Sequence, residues 1–242
     1  MKGLTITLLV LIFLGLVVGG IFYFSNNLIN SCELEEVQGT PVSISQAQSF
    51  ALFRVTENNK PYTWIPLGYL QSNDINGEKN YYVFIFVKDG FNLNTLDKLK
   101  SNILTAQSEE DKYQFNDVAT IVVSAIKEEK QLIRHFRGLP EYFVEEDNIE
   151  SLLTKNGEER GNLILDNQGT TAYFEILSNS KNTGNLIRVS DKKIISSKDL
   201  IDFKEASEQR RLSAMSSTEC EQYKIALQEA SQAHIAEWNK FS

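Results

Sequence analysis

Histidine is nearly missing from this chain. His135 and His234 are the only two, they lie on unrelated segments, and neither has a second ligand at zinc spacing. The sequence therefore predicts no metal. No serine stands in a G-x-S-x-G turn, and there is no H-E-x-x-H, phosphate loop or dinucleotide glycine pattern. Clustered Lys and Arg are also lacking, since Arg210-Arg211 and Lys192-Lys193 are isolated pairs. Phosphate backbones need such clusters, so nucleic acid is excluded as a partner. With only four prolines and no low-complexity tract, nothing reads as a disordered stalk. No Asn-x-Ser/Thr triplet occurs. Carboxylates are plentiful, as in Glu145-Glu146-Asp147 and Glu158-Glu159, but runs beside loops read as solvated faces. These absences describe a protein that is not an enzyme and carries no cofactor. An enzyme built on scattered carboxylates is the alternative that sequence alone leaves standing.

What is present begins at the amino end. Leu4 to Phe24 carries no charge over 21 residues. As a helix rising ~1.5 Å per residue it would span roughly 30 Å, the thickness of a bilayer's hydrocarbon core. The α-amino group and Lys2 precede it, whereas Glu33, Glu35 and Glu36 follow, with no basic residue until Arg54. Positive flanks stay in the cytoplasm, so the remainder should lie outside it. The run is longer than a cleaved signal peptide's apolar core and lacks small residues before a cut, which favours an uncleaved signal-anchor. Cys32 in Ile29-Asn30-Ser31-Cys32 offers a poor lipid-attachment sequence. The expected organisation is a transmembrane helix at 1–24, a juxtamembrane linker at 25–42 and one extracytoplasmic domain at 43–242. Gly138-Leu139-Pro140 marks a candidate subdivision near 138–160.

Of the 24 basic residues only Lys2 lies before Cys32, and no acidic residue does. The rest therefore carries 23 basic against 32 acidic residues, a net of −9. In an oxidising compartment Cys32 and Cys220 could pair and pin the last helix to the membrane-proximal segment. The alternative is two unrelated thiols.

Periodicity gives an α+β fold: an antiparallel-sheet domain with packed helices and a long helical C-terminus. Ser43-Ile44-Ser45-Gln46 fits a capping box, and Ile44, Ala47, Phe50, Ala51 and Val55 recur on one helical face. Tyr62 to Leu70 reads as a strand, with Pro66 marking an edge or bulge. Asn76-Gly77 turns into Asn80 to Lys88, apolar on both faces and so a central strand. Asn94 to Asp97 caps a further helix with Leu99, Ile103 and Ala106 inward, and Val118 to Ile126 is a β-branched strand. Gln131 to Arg137 fits either a strand or a short helix. A meander follows, with turns at Asp166 to Gly169, Asn182-Thr183-Gly184 and Asp191-Lys192. Helices are predicted over 197–215 and 218–240, the second capped by Thr218 and Glu221. Its stripe of Tyr223, Ala226, Leu227, Ala230, Ala233, Trp238 and Phe241 should pack on another element.

Two stretches resemble known families. The order of a helix beginning Ser43-Ile44-Ser45-Gln46-Ala47, an aromatic strand, and a strand ending Tyr82 to Gly90 resembles PepSY-type and streptopain-propeptide-type modules over residues 41–95. That resemblance implies a small α+β unit tied to protease inhibition or chaperoning. Lys2-Gly3 before a long apolar helix resembles a type IV pilin-like leader over residues 1–24, which implies a minor pilin-like surface subunit. The aromatics Tyr62, Trp64, Tyr69 and Tyr82 form the candidate binding surface, because Tyr and Trp favour interfaces when a sheet face exposes them. The combined expectation is a single-pass, membrane-anchored binding or assembly module of the cell envelope. It would hold the bilayer through residues 4–24 and a protein or peptide through its outer domain.

Overall fold

The computed structural model describes residues 32–34, 39–58, 62–76, 79–96, 100, 117–166 and 169–241. The expected membrane span at 4–24 lies outside the described residues, as do residues 99, 103 and 106 of the helix expected after Asn94. Among the described residues no helix is long and apolar enough to cross a membrane. The chain divides into two compact units, Gln38–Phe203 with Glu229–Ser242, and Met1–Val37 with Lys204–Gln228.

In chain order the elements are α1 (Ile44–Asn58), β1 (Trp64–Asn73), β2 (Lys79–Lys88), β3 (Val118–Ser124), β4 (Leu132–Arg137), α2 (Glu141–Val144), α3 (Glu146–Lys155), β5 (Glu159–Leu165), β6 (Ala172–Ser178), β7 (Lys181–Arg188), β8 (Ile194–Ser196), α4 (Ser197–Ser213) and α5 (Ser217–Trp238). Short 3-10 turns cover Leu93–Thr95 and Asn239–Phe241. The fold is α+β. Its eight strands form one sheet in the order β4-β3-β2-β1-β5-β6-β7-β8, antiparallel except where β1 meets β5 in parallel. The sheet is thus mixed rather than purely antiparallel, because β1 reaches its neighbour β5 only through a long excursion across other elements.

The first unit is organised around β2 and β3. All seven residues of β3 are buried, which is why its sequence is β-branched without alternation. On one face α1 lays Ala47, Phe50, Ala51 and Val55 over Tyr82, Phe84, Phe86, Ile121 and Val123. Ser43 caps this helix, its hydroxyl accepting the Gln46 N–H at 3.2 Å. The Gln46 side-chain amide donates to the Trp238 carbonyl at 2.7 Å. The chain's end thereby returns to α1, where Phe50 meets Trp238 and Phe241 at ring separations of 5.1 and 5.2 Å. On the opposite face Tyr142, Ile149 and Leu153 of α2 and α3 pack against Val83 and Val122, and also against Leu163, Phe174 and Ile187. One core therefore underlies both halves of the sheet.

The linker expected to end at residue 42 is already part of this unit at its last residues. Pro41 bridges Ile126, and Val42, 2% exposed, donates to the Ala125 carbonyl at 2.8 Å. Thr40 gives its N–H and hydroxyl to the Glu128 carboxylate at 2.7 and 2.6 Å. Burial would raise the Glu128 pKa, but these Thr40 bonds outweigh it and hold the group below the usual range.

Three local readings differ from the structure. The β6–β7 turn falls at Asn179-Ser180, both at positive φ, as a two-residue hairpin with right-handed strand twist requires. Asn182 to Gly184 instead forms an irregularity inside β7, where the Gly184 N–H bonds the Asn182 side-chain oxygen at 2.8 Å. The cap of α5 is Ser216 rather than Thr218. Its hydroxyl accepts the Glu219 N–H at 3.3 Å, and the Glu219 carboxylate accepts the Ser216 N–H at 2.8 Å. Finally, the small-residue stripe of α5 is buried unevenly among the described residues: Trp238 is fully buried, whereas Ala226, Leu227, Ala230 and Ala233 are exposed.

The second unit holds Cys32, the end of α4 and the start of α5. Arg211 of α4 donates to the Tyr223 hydroxyl of α5 at 2.9 Å and lies over its ring at 4.9 Å.

Candidate functional site: the open flank of β1

Trp64 to Asn73 contains no charged residue, and half of it is exposed. One flank pairs with β2 along the whole strand. The Asp89 N–H donates to the Thr63 carbonyl at 2.9 Å, so by alternation Ile65 also faces β2. The polar groups of Trp64 and Pro66 then point the other way. On that side β1 meets β5 only at Asn73 opposite Ile164, with the Ser72 hydroxyl reaching the Leu163 carbonyl at 3.3 Å. From Trp64 to Gln71 the outer flank has no strand partner among the described residues.

The divergence of β5 has a local cause. Gly161 approaches β6 so closely that a Cβ there would sit 2.8 Å from the Glu175 Cβ. The next residue, Asn162, gives its backbone N–H and its side-chain amide to the Glu175 carboxylate at 3.1 and 2.7 Å, and the Asn182 amide adds a bond at 2.9 Å. A buried carboxylate needs such donors, and meeting that need draws β5 toward β6 instead of β1. Sequence reasoning missed this network. Its one visible signal is a glutamate inside the apolar run Tyr173 to Leu177.

The four predicted aromatics separate into two pairs. Tyr62 and Tyr69 are 52% and 46% exposed, whereas Trp64 and Tyr82 are 5% and 8% exposed and belong to the core. The latter two are corrected from surface to core because α1 covers their face of the sheet. The Tyr82 hydroxyl donates to the Val42 carbonyl at 3.0 Å. An extra residue at Leu67, between Pro66 and Gly68, keeps Tyr69 on the same face as Tyr82 and Phe84, against which its ring rests at 6.4 and 5.9 Å. Ile65, 44% exposed, and the bare Gly68, where an added Cβ would meet nothing within 4 Å, complete the flank.

At the head of the strand, Tyr62 and Thr63 line a hollow of about 730 Å³ together with Phe91, Asn92 and Thr95. Lys88 stands 3.7 Å above the Tyr62 ring and 2.9 Å from an Asp117 carboxylate oxygen. Chemically, this region offers backbone donors and acceptors beside uncharged, partly apolar side chains.

Cys32 and Cys220 are joined by a disulfide across 188 residues of sequence, both nearly buried. In the chain-entropy account, closing a loop this long stabilises a fold by up to about 5 kcal/mol. Among the described residues no cluster of His, Cys, Asp and Glu is arranged to hold a metal ion. No family model matches the chain, and neither curated proteins nor solved structures yield a match.

Proposed function

We propose that this protein is a single-pass membrane-anchored, extracytoplasmic binding module that takes an extended segment of a partner polypeptide along β1. The open flank from Trp64 to Gln71 carries the reading. Unpaired strand N–H and C=O groups are complemented by another extended backbone, which gives affinity, while alternate side chains give selectivity. Ile65 and Tyr69 call for apolar side chains on the incoming strand. The net charge of −9 beyond residue 31 favours a neutral or basic one. The apolar run Leu4 to Phe24 and the basic residue before it support anchoring with the amino end in the cytoplasm. The helix–strand–strand order of α1, β1 and β2 is in keeping with the resemblance to inhibitor and chaperone modules.

The test is site-specific photo-crosslinking in the full-length, membrane-embedded protein. A crosslinker at position 65 or 69 is expected to give one adduct that maps to an extended segment, and none is expected from Ile194, an equally exposed residue on β8. Equal labelling from position 194, or no adduct from β1, contradicts the proposal. Protease added to whole cells should cut beyond Ser25; full protection would refute the topology.

A further inference from the structure

A second site lies away from β1, where β4, the start of α2 and residues Gly169 to Ala172 enclose a cleft of about 140 Å³. Its polar groups are out of balance. Arg134 carries five N–H donors, of which one reaches the Gly169 carbonyl at 3.1 Å. The guanidinium forms no ion pair with a carboxylate among the described residues; it lies 5.2 Å from the Phe136 ring centroid. Tyr142, 6% exposed, also lines the cleft, and its hydroxyl is buried with no hydrogen-bond partner among the described residues. Burial pushes the Tyr142 pKa up, against the opposing charge of Arg134, so the phenol stays a neutral O–H donor. Thr171 and Ser190 line the same space. An unmatched buried hydroxyl costs about 1–3 kcal/mol, and Arg134 has no counter-charge among the described residues to satisfy its remaining donors. Arg134 and Tyr142 both line this one cleft.

We propose that this cleft binds a small monocarboxylate. A carboxylate matches the guanidinium fork with two parallel N–H···O bonds and leaves a lone pair for the Tyr142 hydroxyl. The volume equals the liquid share of roughly four or five water molecules, which admits an acid of two to four carbons. Phe136 and Leu139 offer apolar surface to its short chain, and Glu141 on the lining repels a second negative charge. Dicarboxylates and phosphate are therefore disfavoured.

The site is independent of the β1 flank, and its test does not need that partner. The full chain in detergent is titrated calorimetrically with sodium lactate, acetate and inorganic phosphate, with ionic strength held constant by chloride. Lactate or acetate is expected to bind once per chain, saturably, with a dissociation constant on the order of millimolar. Tyr142→Phe deletes an unpaired hydroxyl, so it should leave folding unharmed while weakening lactate binding about tenfold. Arg134→Lys keeps the charge but loses the fork, and should weaken binding at least as much. The proposal is overturned by an absence of saturable carboxylate binding, by binding that Tyr142→Phe leaves unchanged, or by phosphate binding more tightly than lactate.

Discussion

The two outer edges of the sheet and the inner flank of β1 treat unpaired backbone in opposite ways. The edge strand β4 carries Arg134, His135 and Arg137 over six residues, and β8 is only three residues long, following Lys192 and Lys193. Charge and shortness are the usual means of discouraging further pairing. The strand β1 is ten residues long and has no charge, with Ile65 and Tyr69 about half exposed. Only Pro66, whose missing N–H falls on the open side, and the adjacent bulge at Leu67 restrain it. Two blunted edges beside one receptive flank are what the proposed strand docking requires.

The largest effect that sharpens this contrast is on stability. Phe84 lies beside Tyr69 on the same face and is 1% exposed, so Phe84→Ala should cost about 3–5 kcal/mol in denaturant unfolding. Tyr69→Ala should cost less than about 1.5 kcal/mol, since nearly half of that ring is already in water. Comparable losses would mean that Tyr69 is a core residue rather than a presented one.

The next largest is on binding. Tyr69→Lys copies onto β1 the charge that protects β4, and is expected to reduce crosslinking of the partner at position 65 at least tenfold, about 1.4 kcal/mol. It should move the unfolding midpoint little. Unchanged crosslinking would separate Tyr69 from recognition.

Acid should then act on the outer edges before it acts on β1. Asp191, in the β7–β8 turn, has its pKa lowered to about 2, chiefly by the Arg188 side-chain bond. Glu128, in the β3–β4 turn, is also lowered. A carboxylate depressed in the folded state adds stability that is fully present above its unfolded value and is lost as pH falls through its folded value. Stability should therefore be level above about pH 5 and fall below about pH 4, with Asp191→Asn and Glu128→Gln each flattening that fall. An unchanged acid limb in both variants would show that these carboxylates do not fasten the edges. The smallest effect is that of Pro66→Thr, which restores a donor on the open flank. It should produce weak, concentration-dependent self-association by sedimentation, where the parent chain shows none.

The sequence made the centre of this molecule legible and its open flank invisible, for physical reasons. The strands β2 and β3 are buried on both faces, so their own residues declare them, and α1 declares itself by its Ser43 cap and apolar stripe. Trp64 and Tyr82 could not be sorted from Tyr69, because period-2 alternation says which residues share a face but not which part of that face a helix covers. Turn residues misled where two candidates lay close together: Asn182 to Gly184 has the stronger composition, yet Asn179-Ser180 closes the hairpin. The flank of β1 depends on Gly161 and Asn162, far later in the chain, and on the carboxylate of Glu175. The Arg134–Tyr142 cleft likewise joins segments whose neighbourhood only the fold creates.

Amide hydrogen exchange along β1, read residue by residue in the full-length protein without partner, tests the central claim most directly. The account predicts alternation at its start: the Ile65 amide, directed at β2, is protected like those of β2 and β3, whereas the Trp64 amide exchanges rapidly until a bound strand slows it. Equal protection of both amides in the partner-free protein would mean that the flank is already occupied, and would contradict the account.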